Sequence, residues 1–420
     1  MGNFKYDVAV IGLGYVGLPL AIQATDSNLN VYGYDIDEDK VNGYNLGKSA
    51  IEDISDLELQ KSLEKGLFLS SDPKYLSDSE TIVISVPTPL TDYQPDLSYV
   101  RSAAETIANH ITKNQIIILE STTYPGTTIE VLIPVIEEVS HLKAGVDFYA
   151  GYSPERIDPG NEKWNFKNTP KVISGINDES LEKIKTFYEK IIDQVVTVSG
   201  TKEAEMVKLL ENTYRHVNIA LINELAILCN MLEIDIWEVV NAAKTKPFGF
   251  ESFRPGPGVG GHCIPVDPNY LSFKTRQIGK PVRFVELAQE INNSMPSYVV
   301  SRLLEKMNLL EKPFKNSNIL ILGVAYKKDI GDVRESPAIG IIENLYDRGV
   351  NVKYFDPFVE KIVVNNQDVE REDSLDNLNN YDLILVHTAH TDFESFDFSK
   401  TEVPIFDATG SNHYKNAERI

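Results

Sequence analysis

The run from Val8 to Gly17, VAVIGLGYVG, is a short apolar stretch that breaks into Gly12-Leu13-Gly14-Tyr15-Val16-Gly17. A strand that ends in this glycine pattern and leads into the helical run GLPLAIQATD is the opening of a parallel α/β sheet. Gly12 permits the tight turn, Gly14 lets a pyrophosphate approach the backbone, and Gly17 lets helix and strand pack closely. The next strand, LNVYGYD, ends in Asp35, 18 residues after Gly17. A dinucleotide site wants an acid there for the adenosine ribose hydroxyls. A purely structural glycine turn is the competing reading, and Asp35 argues against it. Its carboxylate would repel a 2′-phosphate, so NAD is expected rather than NADP.

The same rhythm continues. TIVISVP, NQIIILES and DFYAGYSP read as further strands, with the helical runs DLSYVRSAAETIANHI and TTIEVLIPVIEEV between them. This first domain is expected over residues 1–200. From Lys202 to Lys244 the chain has helical periodicity without Gly or Pro, which begins a helical middle domain over 201–312. After Pro313 the strands return in NILILGV, VNVKYFD, YDLILVHTA and VPIFDATG, predicting a second domain over 313–420 without a glycine fingerprint. The expected fold class is α/β: two Rossmann-like doubly wound domains joined by a long central helix and a helical middle domain.

Length and charge restrict the partners. A chain of 420 residues has room for two or three domains. A net charge of −22 argues against nucleic acid or an anionic membrane as partner. An anionic small molecule would need a local cluster of Arg and Lys against that field. Two cysteines cannot form a disulfide framework. The start MGNFKYDVAVIG lacks the features of a signal peptide, and Tyr6 stands where N-myristoylation wants Ser or Thr. No apolar run is long enough to span a bilayer, and a cytoplasmic location is expected.

The densest local signal is RPGPGVGGHCIPVDP, from Arg254 to Pro268. Cys229 lies at helical spacing among apolar residues and reads as a small hydrophobe. Cys263 lies among glycines and prolines, with His262 before it and Asp267 four residues on. His262, Cys263 and Asp267 could be metal ligands, but no paired Cys or His completes a set, and no metal is expected. Beside a nicotinamide, a thiol has a definite use. An aldehyde has no second hydride to give until a nucleophile adds to its carbon; a thiolate makes a thiohemiacetal, then a thioester that water hydrolyses to an acid. Such a site needs an oxyanion stabiliser and a group that activates water. Lys208 and Asn212 share a helix face at i and i+4. Three polar loops, Ser85–Leu90, Glu120–Gly126 and Tyr152–Gly160, follow strands on the edge where open α/β sheets bind ligands.

Together the glycine fingerprint, VPTP, STTYPG, SPERIDPG, KLLEN, GPGVGGHCIPVDP and GVAYKKDIGDVRESP resemble the UDP-glucose/GDP-mannose dehydrogenases, in the same order and over essentially the whole chain. The resemblance implies oxidation of C6 of a nucleotide sugar to a uronic acid with two NAD. It implies Cys263 as nucleophile, Lys208 and Asn212 as the oxyanion-stabilising pair, Asp267 with Thr123 for proton handling, and Glu155 as the carboxylate assisting thioester hydrolysis. Pro87, Thr88 and Thr122 would join the fingerprint, Asp35, Lys40 and Arg334 around NAD. Lys40 stands where relatives often carry an Arg. Arg156, Arg254, Gly258, Gly260, Tyr326 and Lys327, with Glu155, Lys208 and Asn212, would bind the UDP-sugar. The loops look most like the bacterial branch that oxidises UDP-N-acetylglucosamine, or its galacto epimer, for capsule or O-antigen synthesis. The manno epimer and UDP-glucose stay open as substrates. The resemblance also implies a homodimer through the central helix. Two rivals are a one-step dehydrogenase of the 6-phosphogluconate or 3-hydroxyacid type, which has no use for Cys263 or a second α/β domain, and a sensor that binds NAD or nucleotide sugar without catalysis.

Overall fold

The computed structural model describes residues 4–420 except 52–53, 92–93, 158–160, 162, 262, 412–413 and 415–416. These residues form two compact units, 1–211 with 269–280 and 212–268 with 281–420.

In the first unit β1 (Tyr6–Ile11), β2 (Val31–Tyr34), β3 (Phe68–Ser70), β4 (Ser79–Ile84), β5 (Ile116–Leu119), β6 (Tyr149–Tyr152), β7 (Lys171–Gly175) and β8 (Val195–Thr197) make one sheet. Its order is β8-β7-β6-β5-β4-β1-β2-β3. Every neighbouring pair is parallel except β6 with β7, where Gly151 faces Gly175. The reason β1 is apolar throughout is its burial on both faces: Val8 and Val10 enter one core cluster, Ala9 and Ile11 the other. Three strands were not apparent in the sequence. β3 and β8 are three-residue strands, too short for a period-2 signal, and β7 lies behind a polar loop.

In the second unit β9 (Asn318–Leu322), β10 (Asn351–Phe355), β11 (Glu370–Arg371), β12 (Leu383–Val386), β13 (Ile405–Asp407) and β14 (Glu418–Arg419) form an all-parallel sheet in the order β11-β10-β9-β12-β13-β14. Ile319 and Ile321 pack into a cluster with Met295, Val299, Val300 and Leu303 of the long helix Arg283–Leu309. Leu320 and Leu322 pack into the cluster on the opposite face.

The central helix covers Thr201–Met231 and does not reach Lys244. It closes at Glu233, a non-glycine residue with φ +56°, and Ile234 donates its N–H back to the Cys229 carbonyl at 2.8 Å. Asp235 then caps a new helix, Ile236–Ala243, accepting from the N–H groups of Trp237 and Glu238. Periodicity without Gly or Pro concealed this break because a left-handed glutamate and an Asp cap supply the turn. Cys229 is half-buried against the apolar core of its unit. No helix among the described residues is long and apolar enough to cross a membrane.

Candidate functional site

In the first unit the functional loops hang from the C-terminal ends of β1, β4, β5 and β6. Gly12 has φ +88°, a region closed to most side chains. A Cβ on Gly17 would come within 1.8 Å of the Gly12 carbonyl oxygen, whereas a Cβ on Gly14 would meet nothing within 4 Å. The turn is therefore packed on the Gly17 side and open at Gly14, where a pyrophosphate needs access. Leu13 is buried, Tyr15 is exposed, and Val16 opens the helix Gly17–Asp26. Asp35 accepts from the Leu13 N–H at 2.9 Å, the Asp37 N–H at 3.0 Å and the Lys40 ammonium at 3.0 Å. Three donors leave one lone-pair position of a carboxylate for a ribose hydroxyl. These residues fit a dinucleotide.

The neighbouring loops are tied to that turn and to each other. The Ser85 hydroxyl donates to the Gly12 carbonyl at 2.9 Å, and the Ser121 hydroxyl to the Val86 carbonyl at 2.7 Å. Pro87 is exposed; Thr88 is buried, and its carbonyl accepts from the Tyr270 hydroxyl. Thr122 is half-buried. Thr123 is buried, and its hydroxyl has no hydrogen-bond partner among the described residues. The loop after β5 is fastened from the central helix by Glu205. Its buried carboxylate accepts from the Gly126 N–H at 2.5 Å, the Thr128 N–H at 2.8 Å and the Thr128 hydroxyl at 2.7 Å. Burial raises the Glu205 pKa against these donors.

Glu155, after β6, meets a second group of charges. One carboxylate oxygen accepts from the N–H groups of Arg156 at 2.6 Å and Ile157 at 2.7 Å, the other from the Lys171 ammonium at 2.8 Å. Lys171 also pairs with Glu120 at 3.0 Å, and Glu120 accepts from the Tyr188 hydroxyl. The Glu155 backbone carbonyl accepts from the Lys208 ammonium at 2.5 Å. Arg156 is turned to Glu211 at 2.6 Å and to the Pro170 carbonyl at 2.7 Å.

The second unit holds the thiol. Cys263 is exposed, and its carbonyl accepts from the N–H groups of Val266 at 3.2 Å and Asp267 at 2.8 Å, the turn that opens the helix Asp267–Gln277. Asp267 is buried and accepts from the Asn212 amide at 2.5 Å. Ahead of the thiol, Gly261 donates its N–H to the Arg334 carbonyl at 3.1 Å. A Cβ on Gly260 or Gly261 would come within 2.6 or 2.7 Å of the Tyr326 side chain, and one on Gly258 within 3.1 Å of Pro337. These glycines are required by the close passage of the 326–337 segment. Further back, the Gly256 N–H donates to Asn223 at 2.9 Å, and Asn223 to Asn292 at 3.0 Å, so a buried amide pair from two helices fixes the loop's start. Neither cysteine is in a disulfide, and no group of three His, Cys, Asp or Glu side chains among the described residues could hold a metal. His262 lies outside the described residues.

A cavity of about 490 Å³ opens beyond the C-terminal ends of β9, β12 and β13, lined among others by Arg254, Tyr326, Lys327, Lys328, His387 and Thr409. Arg254, Lys327 and Lys328 line it with one acid, Glu394, which Lys328 meets at 3.2 Å, so the lining is net positive on a chain with net charge −22. Arg334 is exposed and clamps Asp332 through two nitrogens. Sequence reasoning missed Glu205, Lys171, Glu120 and Asn223. Glu205 was open to discovery: it lies one turn before Lys208, so residues 205, 208 and 212 follow one helix face.

Known proteins are similar to this chain over most of its length. Models of the UDP-glucose/GDP-mannose dehydrogenase family match in three parts: the NAD binding domain over residues 6–192, the central domain over 202–294 and the UDP binding domain over 320–410. A UDP-N-acetyl-D-glucosamine 6-dehydrogenase of Pseudomonas aeruginosa is 37% identical over 395 residues, 92% of this chain and 91% of the relative. Protein CapL of Staphylococcus aureus is 37% identical over 84% of this chain and 83% of its own. The solved structure of UDP-D-ManNAc dehydrogenase from Pyrococcus horikoshii superposes with a TM-score of 0.88 at 32% identity, covering 98% of this chain and 96% of that one. The chain thus belongs to the UDP-glucose/GDP-mannose dehydrogenase family, whose members are NAD-dependent dehydrogenases of nucleotide sugars.

Proposed function

We propose that this enzyme oxidises C6 of a UDP-N-acetylhexosamine, UDP-N-acetylglucosamine before its galacto and manno epimers or UDP-glucose, to the uronic acid through a thioester on Cys263. The observation that carries the reading is the exposed Cys263 thiol one turn from a buried Asp267 held by Asn212. When bound, NAD would supply the hydride acceptor for each of two oxidations at the substrate carbon. Between them the Cys263 thiolate adds to the aldehyde carbon, and the oxyanion that forms is met by the Lys208 ammonium and the Asn212 amide. After the second oxidation, water attacks the thioester, the carbon–sulfur bond breaks, and the thiol returns. Asp267 and Thr123, whose buried hydroxyl has no partner among the described residues, manage the protons, and Glu155 assists the attacking water. Gly12 to Gly17, Asp35, Lys40, Pro87, Thr88, Thr122 and Arg334 hold NAD. Arg156, Arg254, Gly258, Gly260, Tyr326 and Lys327 hold the UDP-sugar, the glycines through backbone groups.

Support for the N-acetylhexosamine comes from the names of the similar enzymes, which include both gluco and manno substrates. CapL supports a role in capsule synthesis by its name; O-antigen is the other destination we propose. The central helix exposes Leu221, Leu225 and Leu228 on one face, and we assign that face to a second copy of the chain. The soluble enzyme would work in the cytoplasm. The test is turnover of UDP-N-acetylglucosamine, UDP-N-acetylgalactosamine, UDP-N-acetylmannosamine and UDP-glucose in parallel, counting NADH. Two NADH per uronate and loss of uronate in Cys263→Ala are expected. One NADH per substrate, or full turnover by that variant, refutes the thioester. Sedimentation as a single chain at micromolar concentration refutes the dimer.

A further inference from the structure

Lys171 is the first residue of β7, and no role in the reaction has been given to it. It is a lysine only 4% exposed, between two carboxylates: Glu155 at 2.8 Å and Glu120, itself 1% exposed, at 3.0 Å. Its ammonium also lies over the rings of Phe166 and Tyr188. Two buried carboxylates share the Lys171 ammonium, and Lys208 is a second buried cation that lies on the Glu155 side only. A buried charge that is poorly compensated is costly, so the carboxyl with fewer donors is the one that favours a proton. The geometry shows which. Glu155 has two backbone N–H donors besides the ammonium, whereas one oxygen of Glu120 has no partner at all among the described residues.

We propose that Lys171 is the positioning residue that keeps Glu155 ionised and, through the Glu155 peptide, holds Lys208 in place. The proposal rests on the reading above, in which Glu155 and Lys208 take part in the reaction. With its carboxylate fixed at three points, Glu155 cannot turn, and its carbonyl stays aimed at the Lys208 ammonium 2.5 Å away. The charged and titratable groups facing this cluster are Glu120 after β5, Tyr188 of the helix Asp178–Tyr188, Lys208 of the central helix, and the Arg156–Glu211 pair beside it. Their titration is consistent. Burial would push Glu155 up, but Lys171, Lys208 and the Ile157 N–H hold it below the ordinary carboxylate range. Burial raises Glu120 in spite of Lys171. Burial would lower Lys171, and the two glutamates hold it above its ordinary value.

The experiment uses the full-length enzyme with NAD and whichever UDP-sugar the parent turns over fastest. It records kcat from pH 5 to 9 for the parent and for Lys171→Met, Lys171→Arg, Glu120→Gln and Glu155→Gln. Loss of the cation should lower kcat at pH 7 by about 10²-fold, the lower end of what a positioned base contributes. It should also move the acid limb of the profile up by about one pH unit or more, since Glu155 then ionises against burial with Lys208 and two N–H donors but without the ammonium at its second oxygen. Lys171→Arg keeps the charge and should return the limb to its parental position. Glu120→Gln copies a protonated acid and should leave the limb in place. Parental kcat and limb in Lys171→Met, with Glu155→Gln inactive, overturn the proposal alone. Parental kcat in Glu155→Gln overturns the reading of Glu155 beneath it. If Lys171→Met has lost NAD binding and so has not folded, Lys171→Arg decides, and a displaced limb in that variant overturns the proposal.

Discussion

Glu205→Ala tests whether the central helix positions the loop after β5. The carboxylate is the acceptor for the Gly126 N–H, the Thr128 N–H and the Thr128 hydroxyl, and Glu205 and Thr128 are both fully buried. Alanine leaves two backbone donors unpaired in a buried site, at about 1–3 kcal/mol each. Relief from burying a carboxyl whose pKa burial already raises offsets part of that. A net loss of about 2–4 kcal/mol follows, a large share of the 5–15 kcal/mol typical of a domain. Glutamine can keep both Thr128 donors but turns its own NH₂ toward the Gly126 N–H, so about 1–2 kcal/mol is expected. Because the chain divides into two compact units, a single melting curve is a poor measure. Hydrogen exchange of the segment 121–132 reads the loop directly, with protection falling in the order Glu, Gln, Ala. Thr123 lies in this loop, so kcat should fall with protection while the KM for NAD changes less. Parental exchange in Glu205→Ala would show that the three hydrogen bonds carry no net energy and refute the reasoning.

Gly17→Ala puts a Cβ 1.8 Å from the Gly12 carbonyl oxygen, a clash no rotamer relieves. NAD affinity should drop by at least about tenfold, measured by titration, while Gly14→Ala, whose Cβ meets nothing, should leave the folded turn intact and weaken only NAD. His216 and His387 are held neutral by burial, each with its pKa lowered from 6.5 to about 4. Their contribution is fully present above pH 6.5 and is lost as the pH falls toward 4, because the unfolded chain takes up the protons first. Each accounts for roughly 3 kcal/mol over that window. Urea midpoints of His216→Phe and His387→Phe should be less sensitive to pH between 6.5 and 4 than the parent's, and equal pH dependence would contradict it.

Much of this was legible because local chemistry forces it. β1, the turn at Gly12 to Gly17 and Asp35 lie within 30 residues and follow one short-range rule. Lys208 and Asn212 share a helix face as their spacing requires, but their partners could not be read. Lys208 reaches a backbone carbonyl 53 residues away and Asn212 a carboxylate 55 residues away. The same holds for Lys171: its pairing with Glu155 depends on β7 running antiparallel to β6 in a sheet that is otherwise parallel. The resemblance implies Gly260 as a contact of the UDP-sugar; that Tyr326 packs against it and against Gly261 could not be read, because Tyr326 lies far along the chain.

The two sheets also put one device to different uses. In the first, Asp35 follows β2 and accepts three hydrogen bonds, leaving a position for a ligand hydroxyl. In the second, Asp356 follows β10 at the same topological place. Its oxygens accept from the N–H groups of Val324, Ala325, Phe358 and Val359 and from His390 Nε2, five donors in all. His390 Nδ1 accepts from the Asp329 N–H, so the ring proton faces Asp356. Burial works to raise Asp356, and the imidazole and N–H donors hold it below the ordinary carboxylate range. With no lone pair left, this acid fixes the loops and cannot read a ribose. On the reading proposed above, the cations of the cavity in this unit would meet the phosphates of the nucleotide. Lys327→Ala should therefore raise the KM for the UDP-sugar by about tenfold or more, as loss of a charge-assisted bond does, with a weaker salt dependence and an unchanged KM for NAD. Asp356→Asn should instead lower stability and leave the KM ratio between UDP-sugars unmoved. A selective loss of UDP-sugar binding in Asp356→Asn with stability intact would mean that the acid, and not the cationic lining, reads the nucleotide.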